Sequence, residues 1–312
     1  MQMIATESGQ FLDPEFTADG EPRASVTPRR LETVWLNTGT LCNLTCENCY
    51  IESSPKNDRL SYLSRTEVTG FLEEIETFGL PVREIGVTGG EPFMNPDLLG
   101  ILADCLERGF EVLVLTNAMR PMMKCAVGLE RLGVQFGERL TLRVSIDHFD
   151  ARLHEEERGP RSWQPTLNGL KWLDQRGFRV HVAGRTRWGE DEAVLRSGYR
   201  RLFEREGIRV DAFDATSLVL FPEMDETRPV PEITTACWDI LGVDPATMMC
   251  ATSRMIVKRR EAAAPEVVAC TLLPYSAEFS LGTTLQESLR PVALNHPHCA
   301  RFCVLGGGSC SG

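Results

Sequence analysis

The amino-acid sequence predicts an α/β fold, a partial (β/α)6 barrel with a small cysteine-rich C-terminal extension. Between residues 31 and 235, short apolar segments alternate six times with segments that carry apolar residues at helical spacing. This order is typical of parallel strands joined by right-handed helical crossovers. From Ala236 onwards the alternation stops and cysteines become frequent. We therefore expect a lead-in over residues 1–30, a barrel over 31–235 and an extension over 236–312.

Each predicted element follows from its own pattern. The lead-in lacks periodicity and is rich in polar residues, glycine and proline, so we expect it to be loose. The predicted strands are short apolar runs of the kind found in buried parallel sheets, and they cover residues 33–37, 85–87, 110–115, 140–146, 178–182 and part of 210–220. The predicted helices carry apolar residues three and four positions apart, and they cover residues 65–78, 97–108, 165–176 and 190–206.

The composition argues against several classes of function. The chain has 312 residues and a formal net charge of −11, whereas a nucleic-acid-binding surface needs clustered Lys and Arg. No apolar run reaches the roughly 18 residues of a membrane span, and the polar N-terminus does not resemble a secretory signal. Eleven cysteines without an export signal indicate reduced thiols or metal ligands. We therefore expect a cytoplasmic protein that binds neither nucleic acid nor a membrane.

Three cysteines after the first predicted strand have a spacing that suits an iron–sulfur cluster. Cys42, Cys46 and Cys49 form a C-x3-C-x2-C segment in a tight loop, and such thiolates can hold three corners of a four-iron cluster. Three ligands leave one iron open to a substrate or cofactor. The alternative is a zinc site, but zinc loops usually join a cysteine pair to a second pair nearby. Here no Cys or His follows until Cys105.

A glycine-rich loop, Gly89-Gly90-Glu91, follows the second predicted strand. Together with the cysteine motif it resembles the radical S-adenosylmethionine (SAM) superfamily. The resemblance implies that the open iron chelates the amine and carboxylate of SAM and that Gly89, Gly90 and Glu91 hold the amine. It also implies a one-electron donor such as flavodoxin or ferredoxin. Cleavage of SAM would then give methionine and a 5′-deoxyadenosyl radical, which abstracts hydrogen from a substrate.

Polar residues end the next three predicted strands, at the edge where function lies in α/β sheets and barrels. These residues are Thr116, Asn117, Ser145, Asp147 and Arg185. The resemblance makes Ser145 and Asp147 candidates for binding the SAM ribose and Arg185 a candidate for its carboxylate, and Thr116 and Asn117 complete the predicted cofactor site. The alternative for Ser or Asp at a strand end is to cap the next helix.

Two further positions leave alternatives open. Arg185 could instead pair with Glu190 or Asp191. Members of the superfamily usually place an aromatic residue just before the third cysteine, beside the adenine, whereas this chain has Asn48 there and Tyr50 just after the cysteine. We therefore expect the adenine contact at Asn48 to be a backbone or amide hydrogen bond.

The C-terminal extension carries a second metal signal. Two strand-like pieces between Cys250 and Cys270 predict a β-hairpin, which would bring these two cysteines close together. Cys299, Cys303 and Cys310 follow in the terminal segment. The arrangement resembles the SPASM and shorter twitch extensions of radical SAM enzymes, which implies an auxiliary 4Fe–4S cluster on four of the five cysteines. The spare cysteine is left open, and the alternatives are a zinc site or buried structural thiols.

The remaining cysteines are expected to have structural roles. Cys105 and Cys125 lie in helix-like apolar surroundings, which predicts that they belong to the core. Cys237 stands beside Trp238, and we expect it to be structural as well.

The substrate is not determined by these motifs, and no catalytic residue beyond the cluster is assigned. The compact chain favours oxidation or rearrangement of a small molecule. One alternative is modification of a ribosomally made peptide by thioether formation, crosslinking or epimerisation. Fewer than 35 residues precede the first predicted strand, so we expect any peptide-binding domain to be a separate protein. A second alternative is a non-enzymatic iron–sulfur carrier, which would not need the Gly-Gly-Glu loop.

Overall fold

The computed structural model describes residues 9–223 and 229–307. Its strands are β1 (Ser25–Val26), β2 (Thr33–Asn37), β3 (Glu84–Thr88), β4 (Glu111–Thr116), β5 (Leu140–Ser145), β6 (Arg179–Arg185), β7 (Leu218–Phe221), β8 (Ser253–Val257), β9 (Glu266–Val268) and β10 (Val292–Ala293). Its helices are α1 (Arg65–Phe78), α2 (Leu98–Glu107), α3 (Arg120–Lys124), α4 (Ala126–Phe136), α5 (Ala151–Arg158), α6 (Trp163–Gln175), α7 (Glu192–Glu206), α8 (Cys237–Leu241) and α9 (Met249–Thr252). A π-helical segment covers Cys299–Val304.

The main sheet has eight strands in the order β7-β6-β5-β4-β3-β2-β8-β9. Strands β2 to β7 are all parallel to their neighbours, which confirms the predicted α/β fold. Apolar residues of α1, α2, α4, α6 and α7 pack with these strands in one core. Because the strands are parallel, the loops that follow β2 to β6 lie at the same edge of the sheet. No helix in the described ranges is long and apolar enough to cross a membrane.

Helix α1 shows how local sequence sets an element boundary. The Ser64 side chain accepts a hydrogen bond from the backbone of Glu67, and the Glu67 side chain accepts one from the backbone of Ser64. This reciprocal capping box fixes the start of the helix. Gly79 ends it with a φ of 58°, a left-handed conformation that glycine adopts without a steric penalty.

The predicted hairpin is confirmed, but it belongs to the main sheet. Strands β8 and β9 are antiparallel to each other, and β8 pairs in parallel with β2. Buried apolar residues on both strands, such as Leu36 and Ile256, explain this pairing, since an exposed apolar edge is unfavourable. The C-terminal residues therefore continue the sheet that carries the cysteine loop.

The expectation of a loose lead-in is wrong for residues 23–26. Strand β1 pairs with β10, and Arg23 forms a buried ion pair with Glu232. Ala24 and Val26 are buried in the same apolar cluster as Cys250 and Cys299. This segment is ordered by long-range contacts that its own composition does not reveal.

Candidate functional site

One cavity at the carboxyl edge of the sheet brings most of the predicted site residues together. It is lined by Cys42, Cys46 and Cys49 and by seven of the eight predicted SAM-binding residues, namely Gly89, Gly90, Thr116, Asn117, Ser145, Asp147 and Arg185. Glu91 is the predicted residue that does not line it. The shared edge of the parallel strands thus gathers residues that are more than 140 positions apart in the chain, from Cys42 to Arg185.

The cysteine loop fits a cluster held by three thiolates. The Cys42 sulfur accepts a hydrogen bond from the Leu44 amide at 3.4 Å, and the Cys49 sulfur accepts one from the Ser53 amide at 3.3 Å. Such bonds suit the thiolates of an iron–sulfur cluster. Burial raises the pKa of Cys42 to about 12 and also raises that of Cys46. These thiols would therefore ionise on binding a cationic metal centre, with release of protons.

The geometry of the cysteines differs from that of a single-ion site. In the described ranges no three His, Cys, Asp or Glu side chains converge closely enough to hold one metal ion. A zinc ion needs all its sulfur ligands about 2.3 Å from one centre. A four-iron cluster stands between its thiolates and keeps them further apart.

The glycine pair is required because two loops run directly beside each other. The Gly90 amide donates to Gly39 O at 2.8 Å, and the Glu91 amide donates to Leu41 O at 3.1 Å. A Cβ atom on Gly90 would lie 2.2 Å from Leu41 O, and one on Gly89 would lie 2.6 Å from Gly39 O. Both obstacles are backbone atoms, so no side-chain movement relieves them. The loop after β3 is thereby fixed against the start of the cysteine loop.

Glu91 is buried and links the loops after β3 and β4. The side chain is 2% exposed and accepts hydrogen bonds from Thr116 Oγ1 at 2.8 Å, the Asn117 amide at 2.9 Å and the Phe93 amide at 3.2 Å. Burial raises the pKa of Glu91 to about 7. This carboxylate joins the loops after β3 and β4, and its expected contact with the SAM amine stays a prediction.

Asp147 is held by the half-buried Arg158, a residue that no sequence motif indicated. Arg158 forms a two-bond ion pair with Asp147, and Arg185 Nε lies 3.5 Å from Asp147 Oδ1. Burial alone would raise the pKa of Asp147, but the guanidinium groups of Arg158 and Arg185 outweigh it and lower the pKa. Arg158 also lines the cavity. An arginine in the last turn of a helix is common, so the sequence carries no specific signal for it.

A second buried carboxylate, that of Glu157, positions the cysteine loop. It is 1% exposed and accepts hydrogen bonds from the Asn48 amide N–H at 3.0 Å, from Asn48 Nδ2 at 2.9 Å and from Arg187 Nη1 at 2.6 Å. The backbone N–H and the side-chain amide of Asn48 are thus engaged with helix α5, and the adenine contact expected there stays a prediction. Tyr50 lines the cavity, so an aromatic ring is supplied two residues later.

Arg185 is surrounded by acidic groups other than those considered from the sequence. Its Nη1 lies 3.5 Å from Glu157 Oε1 and 3.8 Å from Glu223 Oε1. The alternative partner Glu190 instead lies 3.0 Å from His148 Nε2. The proposed pairing of Arg185 with the residues that follow it is therefore wrong, because the side chain turns towards the cavity.

Apolar residues from later in the chain form another part of the cavity wall. They are Phe221 and Pro222 at the end of β7, Leu272 after β9 and Phe302 in the π-helical segment. The rings of Phe221 and Phe302 stack with 6.1 Å between their centroids. Leu272 and Phe302 come from the C-terminal region, so this region completes the cavity that begins at the cysteine loop.

Four C-terminal cysteines line a second, smaller cavity. Cys250 lies in α9 just before β8, Cys270 follows β9, and Cys299 and Cys303 lie in the π-helical segment. The hairpin and this segment bring together residues from three parts of the chain. Burial raises the pKa of Cys250 to about 11 and raises that of Cys299 well above its ordinary value. The fifth candidate, Cys310, lies outside the described residues.

The other described cysteines lie away from both cavities. Cys105 is buried in the main core and Cys125 packs against it. Cys237 packs against the C-terminal apolar cluster, and its sulfur lies 3.4 Å from Thr234 Oγ1. None of these three lines either cavity.

Comparison with known proteins identifies relatives of part of the chain. Residues 36–186 match the radical SAM superfamily. The chain is 30% identical over 142 residues to an AdoMet-dependent heme synthase from Methanosarcina barkeri, covering 45% of this chain and 38% of that protein. It is also 30% identical over 144 residues to the antilisterial bacteriocin subtilosin biosynthesis protein AlbA of Bacillus subtilis, covering 46% of this chain and 30% of that protein. The chain thus spans less than half the length of these curated relatives.

The fold is shared with a solved structure. SuiB from Streptococcus suis, in a crystal structure bound to S-adenosylmethionine, is similar with a TM-score of 0.57 at 13% sequence identity. The match covers 81% of this chain and 63% of that chain. At this level of identity the likeness concerns the fold.

Proposed function

The chain carries a radical SAM domain, and on that premise we propose that it cleaves SAM reductively and abstracts hydrogen from a small-molecule substrate, for oxidation or rearrangement. The observation that carries the proposal is the single cavity lined by the three-cysteine loop, the glycine pair and the polar strand ends. A 4Fe–4S cluster held by Cys42, Cys46 and Cys49 would supply the one electron needed to break a carbon–sulfur bond of SAM, with methionine and a 5′-deoxyadenosyl radical as the products. A flavodoxin or ferredoxin is the proposed electron donor.

The residues around the cavity would bind and orient SAM. Cys42, Cys46 and Cys49 would hold the cluster, and the bare backbone of the glycine pair permits close approach of the SAM amine. Ser145 and Asp147 would bind the ribose, since each carboxylate oxygen can accept more than one hydrogen bond and Asp147 keeps acceptor capacity while paired with Arg158. Arg185 would bind the SAM carboxylate. Its guanidinium group would at the same time stay beside the carboxylates of Asp147 and Glu157.

We also propose that residues 236–312 form a SPASM/twitch-like domain that holds an auxiliary 4Fe–4S cluster. Its ligands would be Cys250, Cys270, Cys299 and Cys303, which leaves Cys310 spare. Support comes from the common cavity of these four thiols. Phe302 lies between Cys299 and Cys303 in the π-helical segment and lines the first cavity. The π-helical segment would therefore contribute to both the proposed SAM site and the proposed auxiliary site.

The apolar wall supports a substrate with an apolar group near its reacting carbon. Leu115, Ala183, Phe221, Leu272 and Phe302 contribute apolar surface to the cavity, and such surface stabilises the burial of apolar groups. A second candidate is the modification of a peptide. The fold of SuiB favours it, since a crystal structure holds SuiB with the precursor peptide SuiA.

Anaerobic reconstitution with iron and sulfide tests the SAM site. We expect about eight irons per chain, from three plus four cysteine ligands, and formation of 5′-deoxyadenosine from SAM after reduction by dithionite. Replacing Cys42, Cys46 and Cys49 together by Ala should leave about four irons and abolish cleavage. Cys105→Ala is the matched control and should retain about eight irons and the cleavage of SAM. A full iron load without SAM cleavage in the unmodified protein would favour the iron–sulfur carrier instead.

The auxiliary ligands are tested by comparing two single variants. Cys303→Ala should lose the auxiliary irons, whereas Cys310→Ala should keep them and serve as the control. Equal iron loss in the two variants would contradict the assignment of Cys310 as the spare cysteine. Zinc in place of the second set of irons would remove the auxiliary cluster from the proposal.

A further inference from the structure

Arg254 is a buried cation whose hydrogen-bond partners are uncharged. It lies in β8 and is 1% exposed. Its Nε donates to Ser288 O at 2.9 Å, its Nη1 to Cys250 O at 2.6 Å and to Ser253 O at 2.7 Å, and its Nη2 to Arg290 O at 3.4 Å. Within residues 9–223 and 229–307, no ion pair joins Arg254 to a carboxylate. Four carbonyl groups thus hold a guanidinium whose charge they do not balance.

Two other arginines of this chain show the usual arrangement. The buried Arg23 pairs with Glu232, and the half-buried Arg158 pairs with Asp147. An arginine stays protonated in proteins, and burying an unpaired charge is costly. The unbalanced charge of Arg254 therefore points to an anionic group that lies close to it when the protein has its cofactors bound.

Arg254 contacts Cys250 directly, because its Nη1 donates to the Cys250 carbonyl at 2.6 Å, and Cys270 follows β9, the strand that pairs with β8. Both cysteines belong to the second cavity, whose four cysteines would become thiolates on binding a cluster. A 4Fe–4S core held by four thiolates has a net negative charge, and reduction by one electron adds another. A nearby buried cation stabilises the reduced form more than the oxidised form, because Coulomb interactions are strong away from water.

We propose that Arg254 is the charge partner of the auxiliary cluster and raises its reduction potential. The inference rests on the proposed auxiliary cluster and adds a residue that tunes it. Arg254 is a positioning residue as well, since its bonds to Cys250 O and Ser253 O fix the end of α9, which carries one proposed ligand.

The test uses a chain in which Cys42, Cys46 and Cys49 are replaced by Ala, so that the auxiliary cluster is the remaining centre. Its midpoint potential is measured by titration with dithionite, followed by electron paramagnetic resonance. Arg254→Met should make reduction at least tenfold less favourable, a shift of about 59 mV to more negative potential for one electron. Arg254→Lys keeps the charge and should restore most of the potential. Arg290→Met removes an exposed cation beside the same site and should change little, because solvent screens it.

A second readout is the rise in melting temperature when the cluster is loaded. The rise in melting temperature should be smaller in Arg254→Met than in the protein with Arg254, because the cluster then lacks its charge partner. In Arg290→Met the rise should equal that of the protein with Arg254. If Arg254→Met fails to assemble a cluster, the midpoint potential and the rise in melting temperature are measured on Arg254→Gln, which keeps hydrogen-bond donors without the charge. Suppose that Arg254→Met or Arg254→Gln binds a full set of auxiliary irons and shows the same midpoint potential and the same rise in melting temperature as the protein with Arg254. This result would overturn the role of Arg254 and leave the proposed cluster in place. Failure of the unmodified Arg254 protein to assemble an iron cluster would overturn the proposed cluster and the inference together.

Discussion

Replacing Glu157 by Ala should release the cysteine loop from helix α5. The Glu157 carboxylate binds the backbone N–H and the side-chain amide of Asn48, which lies between Cys46 and Cys49, and it also binds Arg187. At 1% exposure, these groups have little access to water as a substitute acceptor. The variant therefore tests whether a distant carboxylate holds the cluster ligands in place.

The expected cost follows from the bonds that cannot be replaced. The Asn48 side chain can turn to another partner, but its backbone N–H cannot. Arg187 retains the more exposed Glu47 at 3.1 Å and Glu156 at 3.9 Å. Two lost charge-assisted hydrogen bonds, at about 1.5–3 kcal/mol each, lower the free energy of unfolding by about 3–6 kcal/mol. Glu157→Gln keeps one acceptor oxygen and permits a flipped Asn48 amide, so its loss should be about 1.5–3 kcal/mol from the Arg187 bond.

The assay combines urea unfolding of the metal-free protein with the rate of iron loss to a chelator from the loaded protein. In Glu157→Ala the irons held by Cys42, Cys46 and Cys49 should be lost faster, whereas the auxiliary irons should be unaffected. Glu206→Ala is the control, because the pair of Glu206 with Lys171 is partly exposed and should contribute less than about 1 kcal/mol. The reasoning is refuted if Glu157→Ala matches Glu206→Ala in both stability and chelation rate.

Three further predictions concern glycine packing and pH dependence. Gly90→Ala places a Cβ 2.2 Å from Leu41 O and should abolish SAM cleavage, whereas Gly70→Ala in α1 meets no atom within 4 Å and should retain it; equal activity would show that the loop can yield. Because burial raises the pKa of Glu91 to about 7, the folded state binds its proton more tightly than the unfolded state. The free energy of unfolding should therefore fall by roughly 3 kcal/mol as the pH rises from about 4.5 to about 7. Glu91→Gln should remove this fall in urea titrations of metal-free protein, and parallel pH profiles would contradict it. His154 shows the opposite sign, since burial lowers its pKa to about 4, so stability should fall as the pH drops from about 6.5 towards about 4. His154→Leu should flatten that part of the profile, and a slope equal to that of the unmodified protein would refute the assignment.

Much of the fold and of the candidate site could be predicted because the signals are local. Apolar runs predicted strands over residues 33–37, 85–87, 110–115, 140–146 and 178–182, and the structure has β2 to β6 in that order. Ligand spacing identified Cys42, Cys46 and Cys49 as a group, since a loop of eight residues brings them close whatever surrounds it. Polar residues such as Ser145 were recognised because parallel strands end at one edge of the sheet.

The sequence by itself thus determined the element order, the cysteine loop and the edge of the sheet where the cavity lies. Only the tertiary structure decided which charges meet. Glu157 reaches Asn48 across 109 residues, and Glu91 accepts a hydrogen bond from Thr116. Arg254 is buried and donates to carbonyl groups, and no carboxylate of the described residues pairs with it. The physical reason is that the role of a charged side chain depends on its burial and on the groups packed against it. Those groups come from distant parts of the chain, which no local pattern brings together.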